Sequence, residues 1–209
     1  TAQLSGLNTA TVSALSTAQL EALSTSQVKA LTSTQLNAMS AEQLGAVQTA
    51  DIAALTTAQL SGLSTASAQA LTSGQVTALG TAQLQSLSSA QLNALDAEDV
   101  TAMGTAQIAA LTTTQVSQLS TTQVEALSTG QVSGMTTAQV ASLTTAQMAS
   151  LSNDQIAKLG TQQVQSLTAT QINALSAEQI AAVETADIAA LTTAQLSGLN
   201  TATVSALST

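Results

Sequence analysis

The side chains able to do chemistry in this 209-residue chain are few in type: there is no His or Cys, and Lys29 and Lys158 are the only basic residues. Serine and threonine hydroxyls are abundant, but a hydroxyl becomes a nucleophile only beside a base that takes its proton. With two lysines and no imidazole in the whole chain, the hydroxyls read as helix caps and turn residues. Carboxylates are densest at Asp96, Glu98 and Asp99, and again at Glu178, Glu184 and Asp187. A carboxylate pair can act as acid and base in glycoside hydrolysis, yet no Phe, Trp or Tyr is present to build sugar-stacking walls. Calcium, which takes several oxygen ligands, is a better use for Asp96, Glu98 and Asp99. Neither the Asp-x-Asp-x-Asp-Gly loop nor the Gly-Gly-x-Gly-x-Asp nonapeptide occurs, however. Asp96 falls at a helix cap, Glu98 in a first turn and Asp99 where other repeats carry Gln; negative charge there suits the helix dipole. The expectation is therefore a non-enzyme, with no catalytic, cofactor-binding or metal-ligating residue, no cofactor and no small-molecule substrate.

Charge narrows the partners. The formal net charge is −9 and the pI is near 4.1. Nucleic-acid binding needs cations to displace the phosphate counterions, and an anionic membrane surface needs a basic cluster; two distant lysines supply neither. No apolar run approaches the roughly 18 residues of a membrane span, and no signal-peptide progression opens the chain. Because the sequence starts and stops inside a repeat, it reads as part of a longer protein. No Asn-x-Ser/Thr sequon is present. Apolar residues nonetheless make up 44% and mean hydropathy is +0.30, so the chain can bury a core of aliphatic side chains.

The elements that must hold these residues follow from one period. A large aliphatic residue recurs every eight positions at Leu7, Leu15, Leu23, Leu31, Met39, Val47 and Leu55, through to Leu207. A second set runs Leu4, Val12, Leu20, Val28, Leu36 and Leu44 to Val204, with Ala68 its only small member. The unit is Thr-Ala-Gln-Leu-x-Ala-Leu-Ser, and 26 octads (26 × 8 = 208) account for all but Thr209, in one continuous array over residues 1–209. Ser16-Thr17-Ala18-Gln19 has the form of a capping box, as do the pairs Ser24/Gln27, Ser120/Gln123 and Ser128/Gln131. Gly80, Gly104 and Gly160 replace the cap hydroxyl, which glycine tolerates. Two aliphatic residues three apart share a helix face. A continuous helix is excluded, because eight residues advance the apolar stripe by about 80° beyond two turns and it would never face one partner.

These features predict an all-α solenoid of very short capped helices, one per octad, with a β-solenoid as the alternative. In a strand, positions three apart point to opposite faces, and Ala and Gln are weak strand formers. Two aliphatic side chains cannot offset the backbone entropy of a whole octad, so octads fold only as a stack. The sixth position is small almost throughout (Gln118 and Lys158 excepted), which lets backbones approach. The fifth is variable (Glu21, Lys29, Asn37, Gln85, Glu125) and reads as solvent-facing. Rows of Thr such as Thr17, Thr25, Thr49 and Thr57, interrupted at Ser33, Ala41 and Asn153, admit an ice-binding face as a further reading.

A longer order lies above the octad. Residues 1–7 repeat at 57–63, Ser73-Gly74-Gln75-Val76 is echoed by Thr129-Gly130-Gln131-Val132, and Ala41-Glu42-Gln43-Leu44 by Ala97-Glu98-Asp99-Val100, each seven octads later. Residues 193–209 are identical to 1–17. If seven octads span whole coils, two coils of three and a half octads is one solution. The run Leu-Ser-Thr-Ala-Gln-Leu/Val-x-Ala-Leu, carried over the whole chain, resembles octapeptide tracts of very large bacterial extracellular or adhesin-like proteins. That resemblance implies a secreted or cell-surface location and a spacer or stalk role, and it transfers no functional residue. A self-assembling filament or sheath subunit, partnered by itself, is the runner-up.

Overall fold

The computed structural model describes residues 6–207, and among these it forms 25 α-helices of four to seven residues and no strand. The architecture is the all-α solenoid, one helix per octad; the β-solenoid is not observed. The chain divides into two compact units, Thr1–Ala110 and Leu111–Thr209, each built on the same rules.

Cap chemistry sets where each helix starts. Ser16 is extended (φ −74°, ψ 158°); its hydroxyl accepts from the Gln19 backbone N–H at 3.2 Å, and Gln19 Oε1 accepts from the Ser16 N–H at 2.9 Å. The reciprocal pair recurs at Ser120/Gln123 and Ser128/Gln131. At Ser24 the Gln27 oxygen accepts from both the backbone N–H and the hydroxyl. Where glycine replaces the hydroxyl, the Gln half of the box persists, from Gly80 to Gln83, Gly104 to Gln107 and Gly160 to Gln163.

The helices are shorter than the aliphatic spacing suggests. Except at Leu207, the second aliphatic residue of the octad does not ride on the helix; at Val47, Leu87, Leu143 and Leu151 it occupies the C-cap with ψ between 131° and 139°. The next cap must be extended to present its hydroxyl, so the chain leaves the helix one residue earlier. Both aliphatic columns still point inward. Leu20, Leu36, Leu60 and Leu84 are buried in the first unit and Val140, Met148 and Ile156 in the second, with Leu31, Val47, Leu143 and Leu151 beside them.

Coils stack through contacts three octads apart. In the first unit Ser73–Thr77 packs between Thr49–Ala53 and Ala97–Ala102; in the second Thr137–Ser142 packs between Thr113–Ser117 and Thr161–Ser166. Side-chain hydrogen bonds meanwhile reach into the fourth octad back, most regularly at a separation of 28 residues. One coil therefore takes close to three and a half octads, and the seven-octad echo in the sequence equals two coils. Successive coils are staggered by about half an octad, so unlike positions meet. A Cβ added at Gly62, a sixth position, would lie 2.7 Å from Ser33 Cβ, a first position in the coil below.

Candidate functional site

The polar residue that organises both units is the third of each octad. Gln75 Nε2 donates to the carbonyls of Val47 (2.7 Å) and Leu44 (2.9 Å), 28 and 31 residues earlier. Gln91 does the same to Leu63 and Leu60. In the second unit Gln147 bonds Leu119 and Val116, and Gln171 bonds Leu143 and Val140. The same amide thus has two tasks: Oε1 closes the cap of its own helix while Nε2 ties that helix to the coil below. Carbonyls at a helix end are short of intrahelical donors; Leu44 already accepts from the Val47 N–H at 3.2 Å and gains the amide as a second donor, while the Val47 carbonyl lies beyond the helix and takes the shorter amide bond. These glutamines are buried, Gln75 to 1% exposure, so each bond is made in a low-dielectric layer where losing it is costly.

Reading the capping box alone misses this second task, because Glu and Gln serve a box equally. The signal is present all the same: of 26 third positions, 20 carry Gln and none carries Glu. Only the amide brings a donor.

Six octads depart from Gln, with Asp at 51, 99 and 187, Ser at 67, and Thr at 11 and 203. A carboxylate has no N–H to give. Asp99 instead accepts from the Ser73 hydroxyl, 26 residues back, at 2.7 Å, and its other oxygen accepts from the Asp96 N–H at 3.1 Å. Asp187 accepts from the Thr161 hydroxyl at 2.6 Å in the same register. Asp51 is 3% exposed and its Oδ2 has no hydrogen-bond partner, the one such buried side-chain atom among the described residues. Beside it, Gln48 occupies the cap position and sends its amide to the Glu21 carbonyl at 2.8 Å, bridging the coils in place of the third residue.

The fifth position, read as solvent-facing, is exposed at Asn37 and Gln85 but also reaches the coil above. Asn37 donates to the Gly62 carbonyl (2.9 Å) and accepts from the Ser64 N–H (2.8 Å). Asn173 repeats both bonds with Gly198 and Asn200. Gln85 donates to the Ala110 carbonyl. Asn37 and Asn173 each pair with a glycine 25 residues on, where the backbone lies too close to the lower coil for a Cβ.

The sequence-named carboxylates do not assemble a pocket. Asp96, Glu98 and Asp99 lie at the start of Ala97–Ala102, and no group of three or more His, Cys, Asp or Glu able to hold a metal occurs among the described residues. Glu178 is exposed in the first turn of Ala177–Ala181. Its own backbone N–H and then the Ser176 hydroxyl hold its carboxyl below the usual range, against a slight desolvation. Glu184 caps Thr185–Ala189 without a side-chain cap bond. Among the cavities, an apolar one of about 20 Å³ lies between Ile156, Val164, Ile172 and Ile180. Open grooves of about 520 and 580 Å³, one in each unit, are lined mainly by Ser, Thr, Gln and Met. No helix among the described residues is long and apolar enough to cross a membrane. The Thr rows are broken by the half-octad stagger: Thr17 and Gly45, one coil apart, occupy different octad positions.

Comparison with known proteins agrees with the repeat. A family model described as the ALTTAQ repeat matches residues 1–33, 19–49, 44–81, 94–129, 121–153 and 180–209. The six-residue run itself stands at 54–59 and 190–195. No curated protein matches the chain.

Proposed function

We propose, from the premise that this chain belongs to the ALTTAQ repeat family, that it is a structural tract whose job is to set distance. In this reading it is a non-catalytic spacer or stalk of a bacterial extracellular or cell-surface protein of adhesin type, holding other domains apart. One observation carries it: the abundant polar chemistry is turned inward on the chain. Cap hydroxyls satisfy helix starts and third-position amides join coils, in the same way in both units. A solenoid of this kind gains length by adding repeats without redesigning any contact. Acidity, absence of cysteine and the likeness to adhesin-like octapeptide tracts support the surface location. The chain's chief partner is itself, coil on coil.

Self-assembly into a filament or sheath is the second reading. The coil-on-coil amide bonds within each unit favour it, since a second copy would offer the same carbonyls. The calcium and ice-binding alternatives draw less support, because the Asp99 oxygens already accept hydrogen bonds and the stagger breaks the Thr rows. Electron microscopy and light scattering of the purified chain, at low and high concentration and with and without calcium, test these readings. Particles of one mass at every concentration are expected of a spacer. Growth into fibres with concentration would overturn it in favour of assembly.

A further inference from the structure

We infer that one octad of the first unit, residues 65–72, is a built-in release point that opens before the octads around it. Three observations meet there. Its third residue is Ser67, whose hydroxyl pairs with Ser64 of its own cap at 2.9 Å, so it sends no amide to the coil below. Its inward aliphatic is Ala68, the one small residue of that column and fully buried. The third residue of the coil above, placed by the common register over the Ala68 and Leu71 carbonyls, is Asp99, which has no N–H to offer them and turns to Ser73 instead. The preceding octad, 57–64, has all three devices: Gln59 bonds the Leu31 carbonyl below, Leu60 fills the core, and Gln91 bonds the Leu60 and Leu63 carbonyls from above.

The octad is pinned on both sides. Asn37 holds Ser64 through its N–H, and beyond the octad Gln75 is tied to Leu44 and Val47. Between these pins the helix Thr65–Gln69 keeps its packing against Ala41–Ala46 and Ser89–Ala94 but lacks the amide ties. It is therefore a flap with fixed hinges, and letting it out releases about 26 Å of extended chain while the coils on either side stay joined. Local opening of a segment that lacks the ties of its neighbours is the expected low-energy fluctuation of an otherwise cooperative array. The inference concerns the octad's own stability and does not depend on the spacer role.

Hydrogen exchange of the full chain, read by mass spectrometry on peptides covering 57–64 and 65–72, tests it. Amides of 65–72 should exchange at least about tenfold faster than those of 57–64. The triple substitution Ser67→Gln, Ala68→Leu, Asp99→Gln should bring the two rates together. The reciprocal change in the well-tied octad, Gln59→Ser, Leu60→Ala and Gln91→Asp, should speed 57–64 to the rate of 65–72, which keeps the test informative if the first variant fails to fold. Equal rates in the parent chain, or a difference that neither variant moves, would overturn the inference.

Discussion

At the scale of single residues, the amide at the third position separates capping from coil joining. Gln147→Glu retains the acceptor for the Thr144 N–H but removes the donor and sets a carboxylate against the Val116 and Leu119 carbonyls. Urea denaturation should show a loss of about 2–4 kcal/mol, the cost of burying an unsatisfied polar group. The same change at exposed Gln19, where only the cap bond is made, should cost less than about 1 kcal/mol. Glycines divide in the same way. Gly62→Ala and Gly198→Ala place a Cβ 2.7 and 2.6 Å from carbons of the coil below and should destabilise, whereas at Gly74 the nearest atom is 4.0 Å away. Gly74→Ala, inside a helix, should therefore stabilise by about 0.5–1 kcal/mol in the same denaturation assay. Glu178 has a lowered folded-state pKa, so its contribution is complete above the unfolded value and is lost as pH falls through the folded one. Replacing it with Gln should flatten that part of the acid limb of a melting-temperature profile, and an unchanged limb would remove Glu178 from the account.

At the scale of the element, a helix of four to seven residues cannot persist on propensity, since nucleation alone is unfavourable. Its ends are fixed by the cap, and its body by the coils on each side. Ser128→Ala, which deletes the hydroxyl accepting from Gln131 N–H, should cost about 1 kcal/mol in thermal or urea unfolding while the Gln131 half of the box remains. Much of this element is legible in sequence: the eight-residue period, the Ser/Thr-x-x-Gln box and the small sixth position together imply a stack of capped helices. Two features are not. Leu87 and its counterparts read as helix residues because a three-residue spacing fits a helix face, yet the extended cap that follows pulls them off the helix. Asn37 reads as a surface residue because the fifth position varies, and it is exposed; its bond to Gly62 lies 25 residues away, a distance set by coil size, which no local pattern reports. The Asn37/Gly62 and Asn173/Gly198 pairs share that spacing, and the coincidence is visible in sequence only once coils are known to be near three and a half octads.

At the scale of the whole molecule, these bonds between coils span 25 to 31 residues, so each coil is tied only to its neighbours. Stability in such an array is a sum of local and nearest-neighbour terms. Its length can then change by whole octads but not by parts of one. Deleting residues 121–176 removes seven octads and joins Ser120 to Ala177, a cap residue followed by a first-turn residue as elsewhere. Every remaining residue keeps its octad position, so the eight-residue phase is unbroken across the join. The variant should unfold at nearly the parent's midpoint, with a denaturant slope lower by about a quarter, the share of chain and hence of surface removed. Deleting 121–124 instead shifts the octads above the cut by half a repeat. Gln147, whose Val116 and Leu119 partners lie below the cut, would face the third residue Gln115 instead, and the large aliphatics around it would leave their columns. That half-octad deletion should cost far more stability than the seven-octad one, an inversion that a fold stabilised in proportion to its size would not show. Circular dichroism through a urea series on both variants reads it directly, and equal damage from the two deletions would mean that register between coils is not what holds the octads in place.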